Sequence, residues 1–162
     1  MSKSLIIYFS RADENYSVGY ISKGNTEYIA DFVRELTGAD MFKVEPKVPY
    51  AADYKTCIEE AKKRIGNAPI KEKLTDISDY DTIFVMSPIY WGTYAPEIET
   101  TLEGLDFTGK LIRVVSTHEG SGLASMLSDV KKMCKGAEVD MNGLAIVGSQ
   151  AKNSKQKVTE WV

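Results

Sequence analysis

The sequence predicts a three-layer α/β/α sandwich, a doubly wound fold around a five-stranded parallel sheet. Three observations carry this. Strand-like apolar runs alternate with stretches of helical periodicity from end to end. The run 82–86, Thr-Ile-Phe-Val-Met, is almost wholly apolar, as befits a central parallel strand covered on both faces. The loops of unusual composition all follow strands, so right-handed crossovers gather them on one edge of the sheet.

Taken in order, the first strand is 4–9, an apolar run ended by Ser10. Helix one covers about 26–37, with Ile29, Phe32, Val33 and Leu36 at helical spacing and Gly38 as its stop. Strand two is 39–44, closed by Glu45-Pro46. Helix two is about 54–65, with the stripe Tyr54, Cys57, Ile58, Ala61 and Ile65. Strand three is 82–86, and helix three opens at Pro96, a residue suited to a first helical position. Strand four is 111–116; helix four is about 123–134, with Leu123, Met126, Leu127, Val130 and Cys134 in register. Strand five is about 143–147, and a last helix, 152–162, docks through Val158 and Trp161. No repeat, linker or low-complexity tract interrupts the series, so residues 1–162 read as one domain.

Composition narrows the function classes. The chain is 43% apolar and 27% charged, a globular balance, and no apolar run approaches the ~20 residues that cross a bilayer. Met1-Ser-Lys-Ser leads straight into a strand without a signal-peptide pattern, so membrane insertion is not expected and the default address is cytoplasmic. Net charge is −3 with no long basic run, which argues against nucleic acid. Cys57 and Cys134 sit on helical apolar stripes without C-x-x-C spacing, so they read as buried thiols, and no metal site is expected. Between Ser87 and Gly122 five acids (Glu97, Glu99, Glu103, Asp106, Glu119) face two bases (Lys110, Arg113), and the rest of the chain balances. That excess should surround the ligand ring and steer a basic partner, or simply solubilise a helix face.

Three loops carry the chemistry. After Ser10, Gly24-Asn25-Thr26-Glu27 opens helix one, where unpaired N–H groups and the helix dipole favour an anion. Ser10, Asn25 and Thr26 add polar side chains; the alternative is a plain N-cap made by Asn25 or Thr26. The insert 11–23, with Arg11, Asn15, Tyr16 and Lys23, either folds over a phosphate or forms a solvated flap; Arg11 is the favoured contact. The second loop, Pro88-Ile89-Tyr90-Trp91-Gly92-Thr93, offers two aromatic rings to a flat ligand, or else Trp91 plugs the core. The third, Thr117-His118-Glu119-Gly120-Ser121-Gly122, combines small residues with donors suited to a ring edge. His118 is the only histidine, and with Glu119 alone beside it a positional contact is expected rather than catalysis. A phosphate cradle and a ring-binding loop at the same strand ends read as a flavin mononucleotide (FMN) site. The rival sites lack their signatures: there is no G-x-G-x-x-G, no Walker G-x-x-x-x-G-K-[ST], no aspartate ending strand three and no cysteine in the first loop.

Tyr8-Phe9-Ser10-Arg11, Lys23-Gly24-Asn25-Thr26-Glu27, Tyr90-Trp91-Gly92-Thr93 and Thr117-His118-Glu119-Gly120-Ser121-Gly122-Leu123 resemble flavodoxins, most closely the bacterial flavodoxin-like proteins, over nearly the whole chain. The resemblance implies a sheet of order 2-1-3-4-5 and a non-covalent FMN. Ser10, Asn25 and Thr26 would hold its phosphate, 88–93 would run along the ring system with Trp91 against it, and 117–122 would close the other side. Gly92 matches the glycine that in flavodoxins turns its carbonyl toward the reduced ring. Nearby carboxylates would lower the reduction potential. Two departures stand out: the phosphate loop is split by 11–23, and the third loop lacks the tyrosine that many flavodoxins stack on the outer face, which leaves one ring face open. The long insertion that divides the fifth strand of long-chain flavodoxins is absent.

The implied function is electron transfer between redox partner proteins, a reductase and an acceptor, with no catalytic side chain. The alternative is an FMN-dependent NAD(P)H or quinone oxidoreductase taking electrons from a small molecule. A non-redox FMN-sensing module is the third class.

Overall fold

The computed structural model describes residues 3–15 and 19–162, with the side chains of Glu14 and Asn15 excepted. Among the described residues eight strands pair into a parallel core and a small appendage. Strands β1 (Ser4–Tyr8), β4 (Asp40–Lys43), β5 (Thr82–Pro88), β6 (Leu111–His118), β7 (Glu138–Val139) and β8 (Leu144–Val147) form one sheet. Its order is β4-β1-β5-β6, with β7 and β8 both pairing beyond β6. All its pairings are parallel. Strands β2 (Asp13–Asn15) and β3 (Gly19–Ile21) form a separate antiparallel pair.

Alternation along β1 explains the two covered faces. Leu5, Ile7 and Phe9 point into one core with Ile83, Val85, Ile112 and Val114. Ile6 and Tyr8 point into the other with Phe84, Met86 and Val115. The first core is capped by α3 (Pro96–Leu102), through Ile98 and Leu102, and by α4 (Met126–Met133), through Met126 and Val130. The second is capped by α1 (Asn25–Thr37), through Ile29, Ala30 and Val33, and by α5 (Lys155–Trp161), through Val158. Trp161 docks edge-on against Phe84 while the Arg113 guanidinium lies 3.8 Å from its ring centre. Helix α2 (Tyr54–Arg64) buries Cys57 and Ala61.

The expected strand order is observed, with one amendment. The fifth strand is two pieces: Glu138 and Val139 pair with Leu111 and Ile112, while Leu144–Val147 pairs with the end of β6. Residues 140–143 break the ladder because they fold into a local turn in which Asp140 Oδ1 accepts the Asn142 N–H. Helix four starts at Met126 rather than 123, since Ala124 takes φ 46° in a preceding turn closed by Met126 N–H on the Leu123 carbonyl. The last helix is likewise split into a 3₁₀ segment, Gly148–Asn153, and α5. Within the insert 11–23, Asp13–Asn15 and Gly19–Ile21 pair as antiparallel strands, and Asp13, Gly19 and Tyr20 are exposed, in keeping with a solvated flap. Both cysteines are buried thiols. No helix among the described residues is long and apolar enough to cross a membrane.

The stripe of helix two overreaches at its end. Ile65 lies beyond α2 and is 58% exposed, whereas Ile112 on β6 is fully buried. Ile112→Ala is therefore expected to lower stability by about 2–5 kcal/mol and Ile65→Ala by no more than about 0.5 kcal/mol. Urea unfolding midpoints of the two variants check the contrast; equal losses would remove the assigned register of β6.

Candidate functional site

Three strand ends shape the site, and each is tied to its loop by a serine. Ser10 Oγ accepts the Glu27 N–H at 3.0 Å, in the first turn of α1. Ser87 Oγ accepts the Ala95 N–H at 2.8 Å and thereby folds back the loop before α3. Ser116 Oγ donates to the Gly122 carbonyl at 2.8 Å and closes the loop after β6. The Ile89 N–H on the Thr117 carbonyl (3.1 Å) joins the second and third loops. Between them opens a cleft of about 310 Å³ at the carboxyl edge of the sheet.

At one end stands the start of α1. Gly24 holds the N-cap position, and neither Asn25 nor Thr26 caps the helix with its side chain. The cap bond comes instead from Ser10, across the top of β1. A Cβ on Gly24 would fall 2.0 Å from Ser10 Oγ and 2.8 Å from Arg11 N. Glycine is needed here for strand-to-helix packing, so the freedom it confers faces protein. Asn25 and Thr26 line the cleft, and helix geometry leaves their N–H groups without an intrahelical acceptor. Thr26 Oγ1 and Thr117 Oγ1 are hydrogen-bonded at 2.7 Å in a buried contact.

At the other end is the aromatic loop. Tyr90 and Thr93 close a tight turn (Tyr90 N–H to Thr93 O, 2.7 Å) whose central residues, Trp91 and Gly92, both have positive φ, 53° and 84°. That is the signature of a primed turn, which asks for glycine at the second position. Tyr90 packs edge-on against Phe9 and Tyr50. Burial pushes the pKa of its hydroxyl well up, and the neighbouring Cys57 adds to the shift. Trp91 is different: 48% exposed, it donates Nε1–H to the Ile58 carbonyl at 2.8 Å, and Lys62 Nζ sits 5.2 Å from its ring. The indole is therefore the ring presented at the rim, while Tyr90 forms floor. The Gly92 carbonyl accepts the Ser125 N–H at 2.9 Å, so turning it toward a ligand would exchange that bond.

In the third loop His118 Nδ1 accepts the Gly120 N–H at 2.9 Å, which leaves Nε2 as the protonated nitrogen of the neutral ring. Burial, with Lys157 of α5, holds its pKa below the ordinary value. Among the expected residues, Arg11, Asn25, Thr26, Pro88, Ile89, Tyr90, Trp91, Gly92, Thr117, His118 and Ser121 line the cleft. Ser10, Thr93, Gly120 and Gly122 do not: they hold the loops, and the last two do so at φ 133° and 64°.

Arg11 lines the cleft but donates to the Ala51 and Ala52 carbonyls at 2.6 and 2.7 Å, clamping the loop that precedes α2. Lys23 pairs with Asp31 over the Tyr28 ring, on α1. The Asn15 side chain and all of Tyr16 lie outside the described residues. The acidic excess does not surround the cleft. Glu97 is fully buried, between the Tyr50 hydroxyl at 2.8 Å and Arg64 at 3.3 Å. Asp106 caps Thr108 before β6, at the opposite edge, and α3 carries Glu99 and Glu103 away from the strand ends. Only Glu119 of the five reaches the cleft wall.

Sequence reasoning missed Tyr54 and Ile58 as lining residues. Their signal was present, because i, i+4 on one helix shares a face, but the stripe reads as core. Its buried members are Cys57 and Ala61, one position round from the cleft.

A sequence model of the flavodoxin family matches residues 15–162. No curated protein matches the chain. Among solved structures it is similar to a Bacteroides uniformis protein classed as a flavoprotein, at 22% identity and TM-score 0.76, covering 99% of this chain and 97% of that one. It is also similar to a Lactobacillus acidophilus flavoprotein in complex with FMN, at 21% identity and TM-score 0.65, covering 94% and 98%. A Fusobacterium nucleatum flavodoxin bound to flavin mononucleotide aligns at 16% identity and TM-score 0.53, covering 98% and 94%. At these identities the likeness to the solved structures is one of fold.

The contact at Gly24 is open to test. Gly24→Ala is expected to destabilise the protein by about 1–3 kcal/mol through overpacking, read from urea unfolding, and adding Ser10→Ala should recover part of the loss. An unchanged midpoint for Gly24→Ala would mean that strand end and helix start do not touch.

Proposed function

The chain belongs to the flavodoxin family, and from that premise we propose that its cleft binds FMN and that the protein carries electrons between redox partner proteins. The observation that carries the reading is the pairing, in one cleft, of an anion-accepting helix start with an exposed indole at its rim.

The residues fit the group. Asn25 and Thr26 present two first-turn N–H groups, and the Thr26–Thr117 hydroxyl pair lies against them; backbone donors and hydroxyls at a helix N-terminus are the chemistry a phosphate monoester needs. About 310 Å³ is within the range of small-molecule sites. The wall between the ends is mixed as a ring with polar edges requires: Pro88, Ile89 and Tyr90 on one side, Thr117, His118 and Ser121 on the other. When bound, FMN supplies the redox chemistry. The protein's part is binding and orientation. Thr26 and Asn25 hold the phosphate, Trp91 covers ring surface at the rim, and His118 offers Nε2–H to a carbonyl edge. Arg11 keeps the loop 51–52 in place, and with it the start of α2.

A second reading, an FMN-dependent NAD(P)H or quinone oxidoreductase, is favoured by the third loop. It brings no tyrosine or tryptophan to the cleft, only the smaller ring of His118, which leaves room for a small electron donor or acceptor. Sustained NAD(P)H oxidation by a quinone, without an added reductase, decides for this reading; reduction only through a partner protein decides for the carrier.

Trp91→Ala is expected to weaken FMN binding by about 1–3 kcal/mol, the worth of an aromatic stacking partner, measured by quenching of flavin fluorescence. Thr26→Ala should weaken FMN far more than riboflavin, which lacks the phosphate; equal losses would remove the helix start from the site. A protein that stays colourless after desalting from excess FMN would overturn the whole reading.

A further inference from the structure

The anion-accepting end of the cleft also contains a carboxylate. Glu119 lines the cleft next to His118. A Cβ added to Gly148 would fall 2.1 Å from Glu119 Oε1 and 2.5 Å from Asn25 Nδ2. Carboxylate and amide therefore crowd one point, at the first residue of α1, and Gly148 is the residue that makes room for them. Burial pushes the Glu119 carboxyl above the ordinary carboxylate range, and the neighbouring Gly148 backbone opposes that shift.

The charged and titratable groups around it are few. His118 stands beside it on the same loop, with burial and Lys157 of α5 favouring the neutral imidazole. Arg11, elsewhere in the wall, is committed to the Ala51 and Ala52 carbonyls. From α1 the facing group is the uncharged Asn25 amide, and from the 3₁₀ segment the Gly148 backbone. Among the described residues Arg11 is the only lysine or arginine in the cleft wall, so a second anion at this end would meet Glu119 in a partly buried setting where like charges repel more strongly than in water.

We propose that Glu119 selects by charge at this end of the cleft: a phosphate dianion settles on the first turn of α1 only when Glu119 carries a proton, whereas a flavin without phosphate enters regardless. This rests on the FMN reading above. The sign follows from linkage. The bound dianion raises the affinity of the Glu119 carboxyl for a proton, so FMN binding takes up a proton. The contribution of Glu119 to FMN affinity is then most favourable in acid and declines as pH rises from the carboxyl's free-state pKa to its bound-state pKa.

The test measures FMN and riboflavin affinity of the full chain from about pH 5 to about pH 8, for the wild type, Glu119→Gln and Glu119→Ala. In the wild type FMN binding should weaken with rising pH relative to the two variants, and riboflavin binding should not. Both variants should tighten FMN about tenfold at the upper end, flatten its slope and leave riboflavin unchanged. Calorimetry in two buffers of different ionisation heat should show proton uptake with FMN in the wild type only. The second ionisation of the FMN phosphate is common to all three proteins, so the difference between them isolates Glu119. The alternative role, Glu119 as a buttress for Asn25 and Gly148, predicts weaker FMN binding in both variants, and that result, or unchanged affinity with an unchanged slope, overturns the proposal. Failure of the FMN reading is distinct: no flavin binds to any of the proteins at any pH, and both conclusions fall together.

Discussion

The site depends on three serine hydroxyls at the carboxyl edge of the sheet. Ser10, Ser87 and Ser116 each end or nearly end a parallel strand, and each turns the following chain back on itself: the first through the Glu27 N–H, the second through the Ala95 N–H, the third through the Gly122 carbonyl. A strand covered on both faces has no solvent at its end to satisfy loop backbone, so buried polar groups there must find partners within the protein. Serine supplies a donor and an acceptor in the smallest volume. Ser87 and Ser116 are neighbours in the register of β5 and β6, so two of the ties lie side by side. With them in place, the helix start, the aromatic turn and the glycine loop converge into one cleft.

A second layer of buried polarity supports the rim. Glu97, at the start of α3, is held between the Tyr50 hydroxyl and Arg64 of α2, and the Arg64 guanidinium lies 4.0 Å from the Tyr50 ring centre. Burial raises the Glu97 pKa while these partners oppose the shift. Such a group, if robbed of one partner, strands a charge in the interior. Through it α2 is fastened to α3 beneath the triangle of Phe9, Tyr50 and Tyr90. α2 in turn offers the Ile58 carbonyl on which Trp91 rests its indole nitrogen. The position of the indole at the rim is thus supported by the charge pairing that joins α2 to α3.

Much of this was legible from periodicity and composition. The apolar run 82–86, the alternation of 5–9, Pro96 at a helix start and Gly38 in the left-handed region after α1 each obey a local rule that tertiary contacts did not override. The loops of the site were legible for a related reason: glycine, serine and exposed aromatic residues gathered after strands have little local use. Local rules failed where a residue's partner is distant in sequence. The acidity of 87–122 pointed to a charged rim, yet Glu97 is buried against Tyr50 and Arg64, and Asp106 belongs to the opposite edge. Arg11 pointed to a ligand and lines the cleft, and it also clamps residues 40 and 41 positions away. The split of β7 from β8 depends on a turn at 140–143 that apolar spacing does not register.

By itself the sequence determined the layer architecture, the family and the three loops that meet at the strand ends, because these follow from hydrophobic period and from turn chemistry, which act over a few residues. Only the tertiary structure decided which of those residues face the cleft and which hold it open. Ser10 rather than Asn25 caps α1, Trp91 rather than Tyr90 is the ring at the rim, and Glu119 alone among its acidic neighbours lines the cleft wall. The reason is physical: a polar side chain's role is settled by the hydrogen-bond partner it finds in space, and at this edge those partners come from other strands and helices.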